Sequence, residues 1–227
     1  MPFILLALVI IGIVVGPGLW VKRVLASNSN TRQDLPGTGG ELAAHLMEKY
    51  GLEGVTLEKT ELGDHYDTEA KAIRLTPNVM DGKSLTAVAT AAHEFGHALQ
   101  DSKDYAALTT RTLLAKNAIT VQRIAAGAIF LIPVLALVPG MGLAARGILI
   151  FVIASMFITT VIHLVTLPVE FDASFGRALP ILEKGKYISE TDLVTVRKIL
   201  LACALTYVSQ AMMSALNIGR WIALLRR

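Results

Sequence analysis

The sequence predicts a mainly α-helical membrane protein with about four transmembrane helices and a small α+β domain that contains a β-hairpin. Two observations of composition support this class. The chain has 227 residues, of which 53% are hydrophobic, and its mean hydropathy is +0.56, which is too apolar for an ordinary soluble domain. The apolar residues are also concentrated in four segments, with a long polar stretch between the first and the second.

The first apolar segment covers residues 3–21 and is long enough to span a bilayer. No basic residue precedes it, Lys22 and Arg23 follow it directly, and no small-residue cleavage site stands before them. These features favour an uncleaved anchor, residues 1–23, over a cleaved signal peptide. The Gly16-Pro17-Gly18 sequence is expected to kink the helix or to end it.

Three further apolar segments follow the polar stretch. Residues 124–138, interrupted by Pro133, and residues 148–167 are separated by the turn-like sequence 139–142, so residues 124–168 are predicted to form a transmembrane helical hairpin. The fourth segment, 199–218, lies in a C-terminal region, residues 199–227, that either spans the membrane or lies along its surface.

The polar stretch, residues 24–123, is predicted to be a separate small domain. A turn-rich linker covers residues 26–40, and Thr38 with Glu41 forms a capping box for a short helix that Gly51 ends. Two β-like stretches, 55–60 and 71–76, flank residues 63–67 and predict a hairpin or meander. With 12 Lys/Arg against 13 Asp/Glu between residues 22 and 123, this region has no basic excess, and we expect no nucleic-acid partner.

An H-E-x-x-H motif, His93-Glu94-Phe95-Gly96-His97, occurs in the predicted helix that follows the hairpin. Because residues four apart share one face of a helix, His93 and His97 can bind one metal ion. Glu94 lies about 100° around the helix, beside the metal, where it can act as a general base. Ser84 is a suitable N-cap for this helix, and Gly96 leaves room beside the histidines.

A catalytic zinc usually has three protein ligands, and Glu170, just after the third apolar segment, is the candidate for the third. Two membrane crossings between His97 and Glu170 would return the chain to the same side. Glu170 also ends a polar stripe with Thr159, His163 and Thr166, spaced four, three and four residues apart, and such stripes face the interior of a bundle. Asp172 is a weaker alternative, because at i+2 it points away from Glu170.

The remaining polar candidates have two or more interpretations. We expect His163 to be a hydrogen-bonded structural residue and His45 to face solvent. His65 could stabilise an oxyanion or lie at the surface, and Arg177 could carry charge near the reacting group or cap a helix. Asp101 and Ser174 have the spacing to orient the metal ligands. The single cysteine, Cys203, excludes disulfides and a cysteine-ligated zinc site.

Several stretches together resemble the bacterial neutral zinc metallopeptidases of the YugP type. They are His93-Glu-Phe-Gly-His-Ala-Leu-Gln100, Leu167-Pro-Val-Glu-Phe-Asp-Ala-Ser174, Ala204-Leu-Thr-Tyr-Val208, Asp64-His-Tyr-Asp67, Ile73-Arg-Leu-Thr76 and Ser84-Leu-Thr-Ala. The resemblance implies an integral membrane metallopeptidase of the gluzincin kind, with His93, His97 and Glu170 as ligands and Glu94 as base. The layout is also similar to that of the HtpX/Ste24 membrane proteases, although those carry an acidic residue where this chain has Ser174.

The prediction is therefore a membrane-embedded endopeptidase with one Zn²⁺ per chain, in which residues 24–123 form a zincin-like domain and residues 169–198 carry the third ligand at the membrane surface. The expected partners are the lipid bilayer and peptide or membrane-protein substrates, and residues 71–76 are the expected edge strand for substrate pairing. A catalytically silent, zinc-stabilised scaffold is the alternative, but such a protein would not need Glu94.

The charge distribution predicts the orientation of the chain in a bacterial cytoplasmic membrane. Lys and Arg near the ends of apolar segments favour the cytoplasmic side. Eleven such residues flank the side that holds the predicted site, against four on the other side. We therefore expect a multi-pass protein whose site faces the cytoplasm.

Overall fold

The computed structural model describes the backbone of residues 2–225, and the side chains of that range except residues 2–4, 6–11, 156, 159–160, 211 and 213–225. Much of the first predicted span, the end of the fourth and the side chain of Thr159 therefore lie outside the described residues. The described chain is mostly helical, with one small sheet. The helices are α1 (Pro2–Ser27), α2 (Gly39–Lys49), α3 (Pro77–Met80), α4 (Leu85–Asp101), α5 (Ala106–Ala128), α6 (Leu131–Leu137), α7 (Gly142–Val165), α8 (Leu167–Phe171), a π-helix (Asp172–Ala178), α9 (Leu179–Lys184) and α10 (Leu193–Leu225).

The chain forms two compact units. The first, called the site unit below, contains Gly16–Thr109 and Leu167–Thr206. The second, called the apolar unit, contains the remaining described residues. Within the apolar unit α6 and α7 pack against each other across the turn at residues 138–141. That residues 124–168 form a transmembrane hairpin stays a prediction.

The helix ends of the site unit agree with the signals in the sequence. Thr38 and Glu41 form the expected capping box at the start of α2, and Gly51, which follows the end of that helix, has a φ of +67°. The Ser84 hydroxyl accepts a hydrogen bond from the Ala87 N–H at 3.1 Å and so caps α4. These local contacts fix where α4 begins, and with it the face of the helix on which the H-E-x-x-H residues lie.

The sheet differs from the predicted arrangement. Its strands are β1 (Thr56–Lys59), β2 (His65–Asp67) and β3 (Ala72–Leu75), in the order β1-β3-β2, and β1 is parallel to β3 whereas β2 is antiparallel to it. The hairpin therefore joins β2 to β3, and residues 63–67, which the sequence placed between two strands, contain a strand of their own. The expected edge strand, residues 71–76, is wrong: β3 is paired on both sides, so its backbone has no free edge for a substrate.

Helix α4 lies at the centre of the site unit, and 15 of its 17 residues are buried. Its partners in the core include Leu46 of α2, Ile73 of β3, Leu182 of α9 and Leu200 of α10, all of which are fully buried. A helix with such surroundings is expected to be apolar on every side. The His, Glu and Gln side chains within it would therefore be costly to bury without compensating partners.

The third predicted apolar segment does not continue as one helix. Helix α7 ends at Val165, and α8 begins at Leu167, so the helix is interrupted at Thr166, two residues before Pro168. Proline is tolerated in the first turn of a helix because no backbone donor is needed there. The π-helix that follows α8 ends two residues before Pro180, which lacks the N–H that the carbonyl of residue 176 would accept from in a continuous α-helix.

The described residues contain one helix, or two if a bent pair is counted as one span, that could cross a membrane. Among the residues that were described, Leu193–Gln210 is long and apolar enough to cross a membrane. Helices α5 and α6, bent by 41° at their break, give a second candidate if they are counted as one span, and Gly142–Ser155 is a shorter apolar stretch. Four transmembrane helices therefore stay a prediction.

Candidate metal centre

The three predicted metal ligands lie together in the site unit. The Nε2 atoms of His93 and His97 are 3.3 Å and 3.2 Å from Oε2 of Glu170, and one donor atom from each residue lies within 4.8 Å of the others. His93 and His97 are each 4% exposed, and Glu170 is fully buried. His97 and Glu170, 73 residues apart in the sequence, thus meet in the structure.

The hydrogen bonds of His97 fix which of its ring nitrogens carries the proton. Its Nδ1 lies 2.9 Å from Oε1 of Gln100. The amide nitrogen of Gln100 donates to the Val169 carbonyl and to Oδ2 of Asp172, each at 2.8 Å. The Gln100 oxygen must therefore be the atom that faces His97, so Nδ1 carries a hydrogen, and in the neutral ring Nε2 presents a lone pair to Glu170.

His93 is oriented in the same way by a hydroxyl group. Its Nδ1 lies 2.9 Å from the Ser174 Oγ, which itself donates to the Leu200 carbonyl at 3.0 Å. Because the only hydroxyl hydrogen of Ser174 is used in that bond, the hydroxyl accepts from the Nδ1–H of His93. The prediction that Ser174 orients a ligand agrees with this contact, and the departure from an acidic residue leaves the orienting bond in place.

The chemistry of these donors fits a divalent cation. Two neutral imidazole lone pairs and a carboxylate oxygen face one another at 3.2–3.3 Å, and three electron-pair donors at this separation repel unless a cation lies among them. Two histidines and one glutamate are also a common ligand set for zinc.

Glu94 is next to the ligands in sequence and is 6% exposed. Among the described residues, the group of clustered donor atoms consists of His93, His97 and Glu170 and does not include Glu94. That Glu94 lies beside a metal rather than on it stays a prediction. Its role as a base stays a prediction, which is taken up below.

The other candidates lie away from the three ligands or support them indirectly. Asp172 accepts hydrogen bonds from Gln100 and Arg177, so it is a neighbour of the centre. Asp101, expected to orient a histidine, instead accepts a hydrogen bond from the Tyr66 hydroxyl at 2.7 Å. That expectation is wrong, and the residue that holds His97 is Gln100. Its i+3 spacing from His97 was a usable signal, because residues three apart also share a helix face.

The three remaining histidines have other surroundings. The His45 ring is exposed, as expected, and its Nε2 lies 2.9 Å from the Tyr187 hydroxyl. His65 is in β2, and its Nδ1 lies 2.8 Å from the Gly63 carbonyl oxygen. His163 belongs to the apolar unit, where its ring packs near Tyr207 with the centroids 5.8 Å apart. Its Nδ1 is buried without a hydrogen-bond partner among the described residues, so the expected hydrogen-bonded role is not seen at this atom.

Comparison with known proteins places the chain in a family. The family model described as "Putative neutral zinc metallopeptidase" matches residues 3–226. The chain belongs to this family. It is also 33% identical over 225 residues to a Bacillus subtilis (strain 168) protein named "Putative membrane protease YugP", a match that covers 98% of this chain and 96% of the relative. No solved structure matches it significantly.

Gly96 allows the close approach of α4 to the π-helix. A Cβ atom at Gly96 would lie 2.6 Å from the Ala173 carbonyl oxygen, one residue before Ser174. We expect Gly96→Ala to push the two helices apart, to cost about 1–3 kcal/mol of unfolding free energy as an overpacking change and to weaken zinc binding. Denaturant unfolding and zinc titration measure both effects. Gly54→Ala, where a Cβ meets nothing within 4 Å, is the matched control and should change neither quantity. Unchanged stability and zinc binding in Gly96→Ala would contradict this account.

Proposed function

We propose that this protein is a membrane-embedded, zinc-dependent endopeptidase in which His93, His97 and Glu170 hold one zinc ion and Glu94 is the general base. The observation that carries the proposal is the buried set of three donors, in which both histidines have their Nδ1 atoms committed to other partners. Membership of a family described as zinc metallopeptidases supports the same chemistry.

The roles of the side chains follow from their chemistry. A zinc ion, when bound, supplies a Lewis acid and lowers the pKa of water from 15.7 to roughly 7. His93, His97 and Glu170 would hold the ion, a set of three protein ligands of the kind that catalytic zinc sites use. Glu94 accepts the proton of the attacking water and then passes it to the amine nitrogen of the leaving peptide. A buried carboxylate suits this exchange because little bulk water competes for the proton.

The decisive experiment is to assay the purified full chain on unstructured peptides with and without zinc. Cleavage that is lost on chelation and restored by zinc supports the endopeptidase. A protein that unfolds when zinc is removed but cleaves no peptide in its zinc-bound form would instead be the zinc-stabilised scaffold. The presence of Glu94 argues against that alternative, because a structural site needs no base.

We also propose that the chain is a multi-pass protein of the bacterial cytoplasmic membrane. Several large apolar side chains of the apolar unit are exposed, including Leu137 at 85%, Leu143 at 81% and Phe130 at 78%. Exposed apolar surface on this scale is unfavourable in water but suits lipid. The relative named as a membrane protease supports the same location. The substrates we propose are membrane-protein segments or other peptides near the bilayer.

The proposed orientation, with the site on the cytoplasmic side, is tested by cysteine labelling in intact cells. Gln33 is exposed in the linker before α2, Met141 is exposed in the turn before α7, and the native Cys203 is buried. We expect a membrane-impermeant thiol reagent to label Met141→Cys and to spare Gln33→Cys until the cells are opened. Ready labelling of Gln33→Cys in intact cells would place the site outside and overturn the orientation.

A further inference from the structure

We infer that Gln100, supported by Asp172 and Arg177, is a positioning residue that fixes the ring of His97 for metal binding. Four side chains form one continuous series of hydrogen bonds. Arg177 Nε donates to Asp172 Oδ2 at 2.7 Å, Gln100 Nε2 donates to the same oxygen at 2.8 Å, and His97 Nδ1–H donates to Gln100 Oε1 at 2.9 Å. The series is called the His97 relay below, and the inference rests on the proposed metal role of His97.

The Asp172 carboxylate determines which atoms of the relay donate hydrogen bonds and which accept them. The Asp172 carboxylate can only accept hydrogen bonds, so it forces the Gln100 amide to present its nitrogen there and its oxygen to His97. The Val169 carbonyl, 2.8 Å from the same amide nitrogen, enforces the same orientation. A flipped amide would place its oxygen against two acceptors, at the cost of two buried hydrogen bonds. Gln100 therefore has one orientation, and His97 has one tautomer.

Burial makes this control effective. Gln100 is fully buried, and the side chains of Arg177 and Asp172 are 14% and 30% exposed, so water has little access to the inner bonds of the relay. Arg177 is itself held, with its guanidinium 5.5 Å above the Tyr105 ring and Nη1 3.4 Å from the Leu99 carbonyl. The outer end is thus anchored on both the π-helix and the end of α4. Groups that orient a ligand typically affect metal affinity by about 10–100-fold.

The relay also differs from the support of the other histidine. His93 is held by the Ser174 hydroxyl and the Leu200 backbone, and no charged group takes part in that pair of bonds. His97 is instead connected to an ion pair. A loss of the Asp172 acceptor is therefore expected to act on His97 and to leave His93 in place.

The first test uses the purified full chain and measures zinc affinity by competition with a fluorescent chelator. Gln100→Leu removes all three amide hydrogen bonds at similar size and should weaken zinc binding by about 10–100-fold. Ser102→Ala removes a hydroxyl bonded to the Leu99 carbonyl at the same helix end, and as the matched control it should bind zinc like the wild type. Wild-type affinity in Gln100→Leu would refute the inference.

The second test asks whether His97 is still held when the hydrogen bond between positions 100 and 172 is donated in the opposite direction. In Gln100→Glu/Asp172→Asn, the new carboxylate accepts from His97, and the new amide donates to it while accepting from Arg177. The carboxylate cannot donate to the Val169 carbonyl, but Gln100→Leu loses that same hydrogen bond, so the two variants differ in the bonds of the relay. We expect this double variant to bind zinc at least about tenfold more tightly than Gln100→Leu, within the range for orienting groups. Affinity no better than that of Gln100→Leu would show that position 100 acts only through packing and would overturn the proposal.

A spectroscopic measurement separates positioning from a general structural effect. In zinc-free protein with ¹⁵N-labelled histidine, the wild type should show His97 as the Nδ1–H tautomer, and Gln100→Leu should show an added Nε2–H population. An unchanged tautomer in Gln100→Leu would overturn the relay even if its affinity falls. A wild-type protein that does not bind zinc at all would instead disprove the proposed function, so the two failures are distinguishable.

Discussion

Glu94→Gln is expected to bind zinc and to cleave peptides at least about 10²-fold more slowly than the wild type, the lower end of the contribution of a general base. Glutamine keeps the size and shape of the side chain but cannot take the proton of the attacking water. The ligands should be undisturbed, because Glu94 does not belong to the described group of clustered donors. The comparison requires kcat on a peptide substrate and the zinc content of both proteins.

The control for this variant is Glu53→Gln, which makes the same chemical change at an exposed residue. It should retain both zinc and activity. A Glu94→Gln protein with near wild-type kcat, prepared in a host without contaminating proteases, would disprove the role of Glu94 and with it the proposed mechanism. Loss of zinc from Glu94→Gln would show instead that this residue helps to hold the ion.

The parts of the site that the sequence predicted depend on local geometry. His93 and His97 had to share a face because they are four residues apart on a helix. Ser84 and the Thr38–Glu41 pair fixed helix starts through contacts across three residues. Such signals are contained within a few positions of the chain. They do not depend on how distant segments pack.

The choice of the orienting residue shows where local geometry is insufficient. Gln100 and Asp101 follow His97 by three and four residues, and both spacings allow a contact on a helix. A distant segment decides between them, because Val169 and Asp172 accept from the Gln100 amide. Asp101 is engaged by the hydroxyl of Tyr66 in β2. A carboxylate was the expected partner for a metal-binding histidine, and this chain provides an amide supported by a carboxylate.

The sheet was mispredicted for a related reason. The alternation of residues 55–60 and 71–76 indicates two strands but contains no information about their order. Strand β2 has only three residues, too few for the alternation of a strand to stand out in the sequence. Its pairing with β3 makes β3 central, so β1 and β2 are the outer strands. Strand order depends on contacts between distant positions, and periodicity within one strand cannot supply it.

Glu170→Ala is expected to lose zinc and activity together. The carboxylate is the only anion among the three clustered donors, it is fully buried, and its Oε2 lies within 3.3 Å of both histidine Nε2 atoms. Its removal leaves two neutral ligands and no compensating charge. The fall in affinity should exceed the roughly 10–100-fold typical of an orienting group. Metal analysis of the purified protein after dialysis measures it directly.

Asp172→Ala is the matched comparison, because it removes a carboxylate two residues away that contacts Gln100 and Arg177 instead of the donor cluster. We expect this protein to keep zinc when zinc is in excess and to show only the smaller affinity loss of a weakened His97 relay. Full zinc occupancy in Glu170→Ala would refute the ligand assignment. Equal zinc loss in both variants would mean that the whole segment from α8 through the π-helix, rather than one carboxylate, determines binding. Only a much larger zinc loss in Glu170→Ala than in Asp172→Ala assigns the third ligand to Glu170. The two residues are both carboxylates in the same segment, and they differ in the direction in which their side chains point.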